Sequence, residues 1–290
     1  MSKVTFNIPA TSANLGLGFD SIGVAVDKFL TVTACPADKW QFHFKTEALA
    51  ALPTNEENMV VKMAQYVAEQ YGEEMPPLAI DMTSEIPLAH GLGSSSSALV
   101  AGIELANYYL DLKLSDREKI AIGTKVEKHA DNIGPCITGG VFIGVYEEEK
   151  LAYYTMALDG ISLIVSVPSY EIKTQDARAA LPDSYEKKAA VSQNAKNNVM
   201  LLAMANQDYE LMGELMMGDY FHEPYRRPLI AEYDEVKAIA LENGAYATVI
   251  SGAGPTLLTL CPEEKADAIL EKLNQVHSCS HEKVNVYYGK

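Results

Sequence analysis

The chain has 290 residues, of which 48% are apolar and 21% charged, the balance of a globular protein able to bury a sizeable core in one large domain or two. Its 39 Asp and Glu against 23 Lys and Arg give a formal charge of −16, a surface that repels nucleic acid and anionic membranes. No apolar run reaches membrane-spanning length, the opening Met-Ser-Lys-Val-Thr-Phe-Asn has no signal-peptide pattern, and Cys35, Cys136, Cys261 and Cys279 form no C-x-x-C pair, so a reduced, cytoplasmic protein without a zinc site is expected.

In chain order, Val4–Ile8 reads as a short strand ended by Pro9. Pro9-Ala-Thr-Ser-Ala-Asn-Leu-Gly-Leu-Gly-Phe-Asp20 is too rich in small and polar residues for a core element and reads as a loop. Its Asn14 and Asp20 could hold a hydroxyl or amino group of a small polar ligand, or simply close an Asx-type turn. Phe29–Cys35 and Trp40–Lys45 read as strands joined by a turn at Pro36-Ala-Asp. Asn55 is the expected cap of a helix whose apolar stripe is Met59, Val60, Met63, Ala64, Val67 and Tyr71, ended by Gly72.

The strand Leu78–Thr83 leads into Pro87-Leu-Ala-His-Gly-Leu-Gly-Ser-Ser-Ser-Ser-Ala-Leu99, after which Leu99, Ile103, Ala106 and Leu110 recur at helical spacing. A glycine-rich loop that opens a helix presents unpaired N–H groups and a positive dipole end, which suits a phosphate. The serine hydroxyls can add hydrogen bonds to phosphate oxygens, or a ligand to a metal. No Lys follows the second glycine, and Ser96 stands where a dinucleotide fingerprint has its third, so neither familiar phosphate loop is present. A flexible linker or plain serine cap is the competing reading, weakened by the amphipathic helix that follows at once.

Ser115-Asp-Arg-Glu118 is a capping box for a helix running toward Lys128. Glu127, His129, Asp131 and Asn132 crowd its end, offering Mg²⁺ a carboxylate or accepting a proton from an attacking hydroxyl; ordinary capping is the alternative. Thr138-Gly-Gly is a turn, and Val141–Tyr146 with Leu151–Met156 form a hairpin around Glu147–Glu149. Beyond a boundary near 150–160, Ser162–Val167 is a buried strand, and helices are expected over Gln175–Leu181, Tyr185–Asn206, Tyr209–Met217 and Leu229–Glu242. Strands at Ala247–Ile250 and Thr256–Leu260 flank Ser251-Gly-Ala-Gly-Pro-Thr256, which reads as a hairpin turn or a second ligand loop. A helix over Glu263–Asn274 and a strand over Val284–Tyr288 complete an α+β pattern. In so acidic a chain, Arg178 and the arginines of His222-Glu-Pro-Tyr-Arg-Arg227 are candidates for bidentate carboxylate recognition, or for structural ion pairs.

Pro87–Leu99 resembles the P-x-x-x-G-L-G-S-S signature of the GHMP small-molecule kinases, and Ser251–Thr256 their C-terminal glycine-rich motif. Pro9–Asp20, His129-Ala-Asp-Asn132, Asp176-Ala-Arg178 and Glu223-Pro-Tyr-Arg226 are similar to the homoserine kinase branch of that family, in the family's order. The resemblance implies an α+β fold with an N-terminal domain like domain 2 of ribosomal protein S5 over residues 1–155, and a ferredoxin-like C-terminal domain over 156–290. The site would lie between them. It further implies transfer of a phosphoryl group from ATP, with Mg²⁺, to the side-chain hydroxyl of L-homoserine in threonine synthesis, in a possible homodimer, while the acidic charge speaks against nucleic-acid and membrane partners.

On the same resemblance, Pro87, Leu88, Ala89, His90, Gly91, Leu92, Gly93, Ser94, Ser95, Ser96 and Ser97 would wrap the ATP phosphates. Ser95 would hold the metal with Glu127, Ser94 and Ser96 remaining alternatives in a run of four serines. Asn14, Asp20, His129, Asn132, Arg178 and Arg226 would line the homoserine pocket, the arginines on its carboxylate and Asp20 near its ammonium, while Thr174, Gly252 and Gly254 would close it. Catalysis would engage Glu127, Asp131 and Asn132, with Asp131 as a base or with direct attack by a positioned hydroxyl, because a loose phosphoryl-transfer transition state does not require a base. Two rival readings are a family member with another acceptor, such as mevalonate, and a non-catalytic binding protein of the same fold.

Overall fold

The computed structural model describes residues 2–289. Strands β1 (Val4–Ala13) and β2 (Ile22–Pro36) pair antiparallel in a six-stranded sheet in which β2 is central and β1 pairs with β2 alone. Both are longer than expected. β1 does not end at Pro9: the register shifts between Pro9 and Ala10, and pairing resumes up to Ala13 opposite Gly23. A shift of this kind accommodates a residue that has no N–H to give the ladder. The small residues Ala10–Ala13 are buried because α2 and α4 lie directly over them, so the sequence expected to be a loop is half strand.

β3 (Gln41–Phe44) does not pair with β2 across the Pro36 turn. It pairs in parallel with β4 (Leu78–Ser84), which lies between the two. A parallel pair needs a crossover, and α1 (Met59–Gln70) supplies it. Its cap is Asn58, whose Oδ1 accepts the Val60 N–H at 3.0 Å, and not Asn55, which closes the preceding turn onto Glu57. Next, α2 (Ser94–Tyr109) buries Leu99, Val100, Ile103 and Leu105 against α1 and β1. α3 (Asp116–Glu127) begins at the expected capping box and stops at Lys128, which is left-handed at φ 80°. A short helix not foreseen, α4 (Ile133–Thr138), follows; its Pro135 falls in the first turn, where a missing N–H costs nothing. β5 (Val141–Glu147) and β6 (Lys150–Met156) form the hairpin and give the sheet order β3-β4-β2-β5-β6.

The second half contains β7 (Ile161–Pro168), α5 (Thr174–Ala179), α6 (Lys187–Ala205), α7 (Tyr209–Met216), α8 (Glu223–Arg226), α9 (Tyr233–Glu242), β8 (Ala247–Ile250), β9 (Leu257–Pro262), α10 (Ala266–Leu273) and β10 (Cys279–Val284). Its antiparallel sheet runs β10-β7-β9-β8, the fourth-first-third-second order of a ferredoxin-like fold. The last strand is displaced from the expected Val284–Tyr288. The pairing segment is the polar edge Cys279–Val284, while the residues after it cross to the other sheet, where Val286 bridges Val26 and the Tyr287 N–H donates to Ala25 O at 2.9 Å. Among the described residues no helix is long and apolar enough to cross a membrane.

Alternation along these strands gives the second sheet two apolar faces. Leu163, Val165, Val249, Leu258 and Leu260 join one continuous core with Val24 and Val26 of β2, Ile103 of α2 and Met212 of α7. Ile164, Ile250, Leu257 and Cys261 face the other way and meet Val236 and Ala240 of α9 and Ile269 and Leu273 of α10.

Candidate active site

β4 feeds a loop in which Ala89, Gly91 and Gly93 have φ of 57°, 80° and 70°. Two of these positions admit no side chain. A Cβ on Gly91 would lie 2.3 Å from Ser251 O, and one on Gly93 would lie 2.1 Å from Thr11 Oγ1. The first glycine stretch is therefore pressed against the second, and hydrogen bonds hold it there: Ser251 Oγ donates to Gly91 O at 2.7 Å and the Thr256 N–H to His90 O at 3.2 Å. Behind them opens a cavity of about 260 Å³. Gly93, Ser94, Ser95 and Ser96 line it at the start of α2, where the first amides of a helix have no partner within it.

The four serines part ways there. Ser96 Oγ donates to Glu127 Oε1 at 3.2 Å, at the end of α3. Ser95 Oγ turns outward to Met59 Sδ, and Ser97 Oγ is spent on the carbonyls of Pro9 and Gly93. The serine hydroxyl that meets Glu127 is thus that of Ser96, one of the alternatives left open in the run, while Ser95, the expected partner, lines the cavity and bonds Met59. Burial pushes the Glu127 carboxyl above its ordinary value, against the charge of His129 and the Ser96 hydrogen bond.

Beyond the left-handed Lys128, His129 Nδ1 meets the buried Asp131 in a short contact. Burial by itself would depress the His129 imidazolium. The bond to Asp131 and the charges of Asp131, Asp20 and Glu127 outweigh it and hold the group above its ordinary value. Asn132 Nδ2 lies 3.5 Å from the same Asp131 oxygen, and its Oδ1 accepts a hydrogen bond from Thr11 Oγ1 at 2.8 Å. The backbone here is fixed by Gly23, where a Cβ would fall 1.7 Å from Asp131 O.

The opposite wall comes from the loop after β1 and from α5 and α8. Asn14, at φ 76°, accepts the Asp20 N–H on Oδ1 at 3.0 Å and donates from Nδ2 to Gly252 O at 2.9 Å. The Asx-type closure and the position in the cavity wall hold together. Asp20 makes a two-point pair with Arg178, at 2.9 and 3.3 Å. Arg226 is buried, donating to Gly252 O at 2.8 Å and to Ala177 O at 3.4 Å. Its burial, and secondarily the charge of Arg178, lowers the Arg226 pKa, with Asp20, Asp131 and Asp219 opposing. Asp20, His129 and Asp131 bring ligand atoms within 4.8 Å of one another.

The same cavity gathers Thr174, Arg178, Arg226 and Gly252 with the residues above. It does not take in Pro87, Leu88, His90, Leu92, Ser97 or Gly254. Leu92 is in the core, Gly254 packs on Ile230, and the His90 ring bonds Leu88 O. Leu88 lines a separate apolar groove with Leu49, Leu52, Met82 and Ala98, and Ser94 borders both spaces. Ile172 and Ala253 line the cavity without having been foreseen, since an isolated Ile or Ala gives no signal in a sequence.

Comparison with known proteins identifies the family and the fold. The family model described as GHMP kinases N terminal domain matches residues 58–140, and that described as GHMP kinases C terminal matches 200–279. Homoserine kinases of Staphylococcus aureus, strains MSSA476 and MW2, are 47% identical over 99% of this chain and 96% of theirs. The crystal structure of a homoserine kinase from Cytophaga hutchinsonii superposes with a TM-score of 0.88 at 29% identity, covering 99% of this chain and 96% of that one. A mevalonate kinase of Methanococcus jannaschii shares the fold at 16% identity, with a TM-score of 0.75 over 98% of both chains.

Proposed function

The chain belongs to the homoserine kinases of the GHMP kinase family, and from that premise we propose that it transfers the γ-phosphoryl group of ATP to the side-chain hydroxyl of L-homoserine, releasing ADP and O-phospho-L-homoserine. The observation that carries this is the pairing of Asp20 with Arg178 in the same cavity as Arg226 and a glycine-lined helix start. A zwitterion fits such a pair by exchange. Its ammonium replaces Arg178 on Asp20, and its carboxylate replaces Asp20 on Arg178 and takes the free N–H groups of Arg226. Neither protein charge is then left without a partner, whereas a ligand with only one of the two charges strands one of them.

The phosphates lie against Gly91, Gly93 and the first amides of α2, where glycine lets the backbone approach and the helix end favours an anion. The groove of Leu49, Leu52, Leu88 and Ala98, which meets the cavity at Ser94, suits the flat apolar faces of adenine. Ser96 and Glu127 offer two hard oxygens 3.2 Å apart next to that phosphate position, a donor set that fits Mg²⁺, which prefers few protein oxygens together with phosphate and water. Held by Ser96 and Glu127, Mg²⁺ would supply charge neutralisation at the phosphates.

Asp131 is already engaged with His129 and Asn132, which supports direct attack: Asn132 and His129 orient the hydroxyl, Asp131 holds both, and in a loose transition state the bond from phosphorus to ADP breaks while the hydroxyl keeps its proton, which then passes to an oxygen of the transferred phosphoryl group. Pro87–Ser97 as a whole shapes the ATP loop, and Thr174 and Gly252 close the homoserine end, with Gly254 supporting the turn behind Gly252. Residues 1–155 and 156–290 are taken as the two lobes, a division supported by the first sheet ending at Met156 and the second beginning at Ile161. A cytoplasmic enzyme of threonine synthesis, without nucleic-acid or membrane partners and forming a homodimer, completes the proposal.

The test is ADP release in a coupled assay with ATP and Mg²⁺, comparing L-homoserine, mevalonate, galactose and no acceptor. Turnover with homoserine alone is expected. Turnover with another acceptor would keep the phosphate site and discard the pocket assignment, and silence from folded protein with every acceptor would remove the kinase reading.

A further inference from the structure

A buried polar cluster lies behind the cavity wall and lines no part of it: Gln193 on α6, and Asp219 and His222 ahead of α8. Gln193 Nε2 donates to Leu17 O at 3.1 Å and to Asp219 Oδ1 at 2.7 Å, and its Oε1 accepts the Tyr220 N–H at 3.0 Å. Asp219 also accepts the N–H groups of Phe221, His222 and Glu223 at 2.8–3.1 Å. The His222 ring reaches Gly16 O through Nε2 at 2.9 Å, while its Nδ1 is buried without a partner. Because a carbonyl can only accept, Nε2 carries the proton.

Both captured carbonyls belong to the loop that carries Asn14 and Asp20. That loop closes on itself through the Gly18 N–H to Asn14 O and the Ile22 N–H to Gly18 O, both at 2.9 Å, but these bonds leave the Leu17 and Gly16 carbonyls to outside partners, and Asn14, Leu15, Gly16 and Asp20 all have positive φ, which is costly away from glycine. Phe19 stacks on His222 at 5.4 Å, with the rings 19° from parallel, and the Arg226 guanidinium lies 5.4 Å from the centre of the same Phe19 ring. One histidine thus supports the residue next to Asp20 on one side and, through that ring, Arg226.

We infer that Gln193, Asp219 and His222 are positioning residues for homoserine: they set the Asn14–Asp20 loop in register with Arg226, so that recognition of the amino-acid end depends on groups that never touch it. The inference rests on the function proposed above. The ATP side has its own supports, since the loop around Gly91 is held by Ser251, Thr256 and Ile172. The two substrates should therefore respond differently.

The amide nitrogen of glutamine reaches about as far as Nε2 of histidine, and that of asparagine only about as far as Nδ1. His222→Asn should raise KM for homoserine by about tenfold or more, the scale of one lost buried hydrogen bond, with KM for ATP changed by less than about twofold. His222→Gln should recover most of the loss. Gln193→Leu, which removes the tie to Leu17 O, should repeat the His222→Asn pattern, and Phe19→Leu should do so if His222→Asn does not fold. Equal effects of asparagine and glutamine, equal shifts in both KM values, or folded variants with wild-type KM would overturn the inference. Wild-type protein inactive toward homoserine would instead sink the function reading, and the positioning role with it.

Discussion

Glu127 ends α3 with its carboxyl enclosed beside Ser96, and burial holds it above the ordinary 4.5. Over the window between that value and the folded one, the native state binds more protons than the unfolded chain, so stability falls as pH rises through the window. Glu127→Gln removes this penalty. In EDTA without nucleotide, the variant should melt above wild type at pH 7–8, with the gain vanishing below pH 4.5. Its turnover should fall by at least about 100-fold, near 3 kcal/mol of transition-state stabilisation. Unchanged activity would refute the metal-ligand role. The His129 imidazolium, raised by Asp131, acts in the same direction from 6.5 upward: its contribution is complete below that value and is lost as pH rises through the folded one. Arg226→Ala should raise KM for homoserine chiefly, as should replacing the substrate with one that lacks the amino group; steady-state kinetics with each substrate varied in turn decides both. At this scale the sequence was informative where a charge stood out against its background, as Arg178 and Arg226 do in an acidic chain. Four identical neighbours carry no such contrast. Which serine faces Glu127 depends on how α2 is rotated, and that is set by packing against α1 and β1.

At the level of elements, Gly93 ties the helix start to the strand beneath it. Gly93→Ala would place a left-handed alanine with its Cβ 2.1 Å from Thr11 Oγ1, forcing Thr11 away from Asn132. The expected result is a loss of about 1–3 kcal/mol in stability together with weakened ATP binding, measured by denaturant titration and by calorimetry with a non-hydrolysable analogue. Ser115→Ala, at the far end of α3 from Glu127, should cost about 1 kcal/mol through its cap and leave the kinetics unchanged. The helices with local signals were legible: the capping box of α3 and the apolar stripe of α1 need no partner to be seen. The strands were legible where they alternate or, like Ser162–Val167, form an apolar run closed by a proline. Ala10–Ala13 form strand because helices press on them, and Cys279–Val284 because β7 offers an edge, neither of which leaves a mark within the segment itself.

For the molecule as a whole, the first sheet and the inner face of the second share one core, from Val24 and Ile103 to Val165 and Leu258. Heat or denaturant should therefore unfold both halves in a single transition, with fluorescence of Trp40 in the first half and circular dichroism of the whole giving coincident curves. Two separated transitions would show that the halves are independent domains. Sequence order and glycine motifs indicated the two sheets, but not that they would be fused.

That fused core is fastened a second time where Val286 and Tyr287 cross from the second sheet to the first. Jaws joined this way have no free hinge, so ligands have to be admitted by something smaller than a lobe. The Asp20–Arg178 pair is half-exposed, and on the function proposed above it is the pair that the substrate separates. It behaves as a turnstile: each passage of a zwitterion exchanges the bar for the passenger, and solution scattering with and without both substrates should give superimposable profiles.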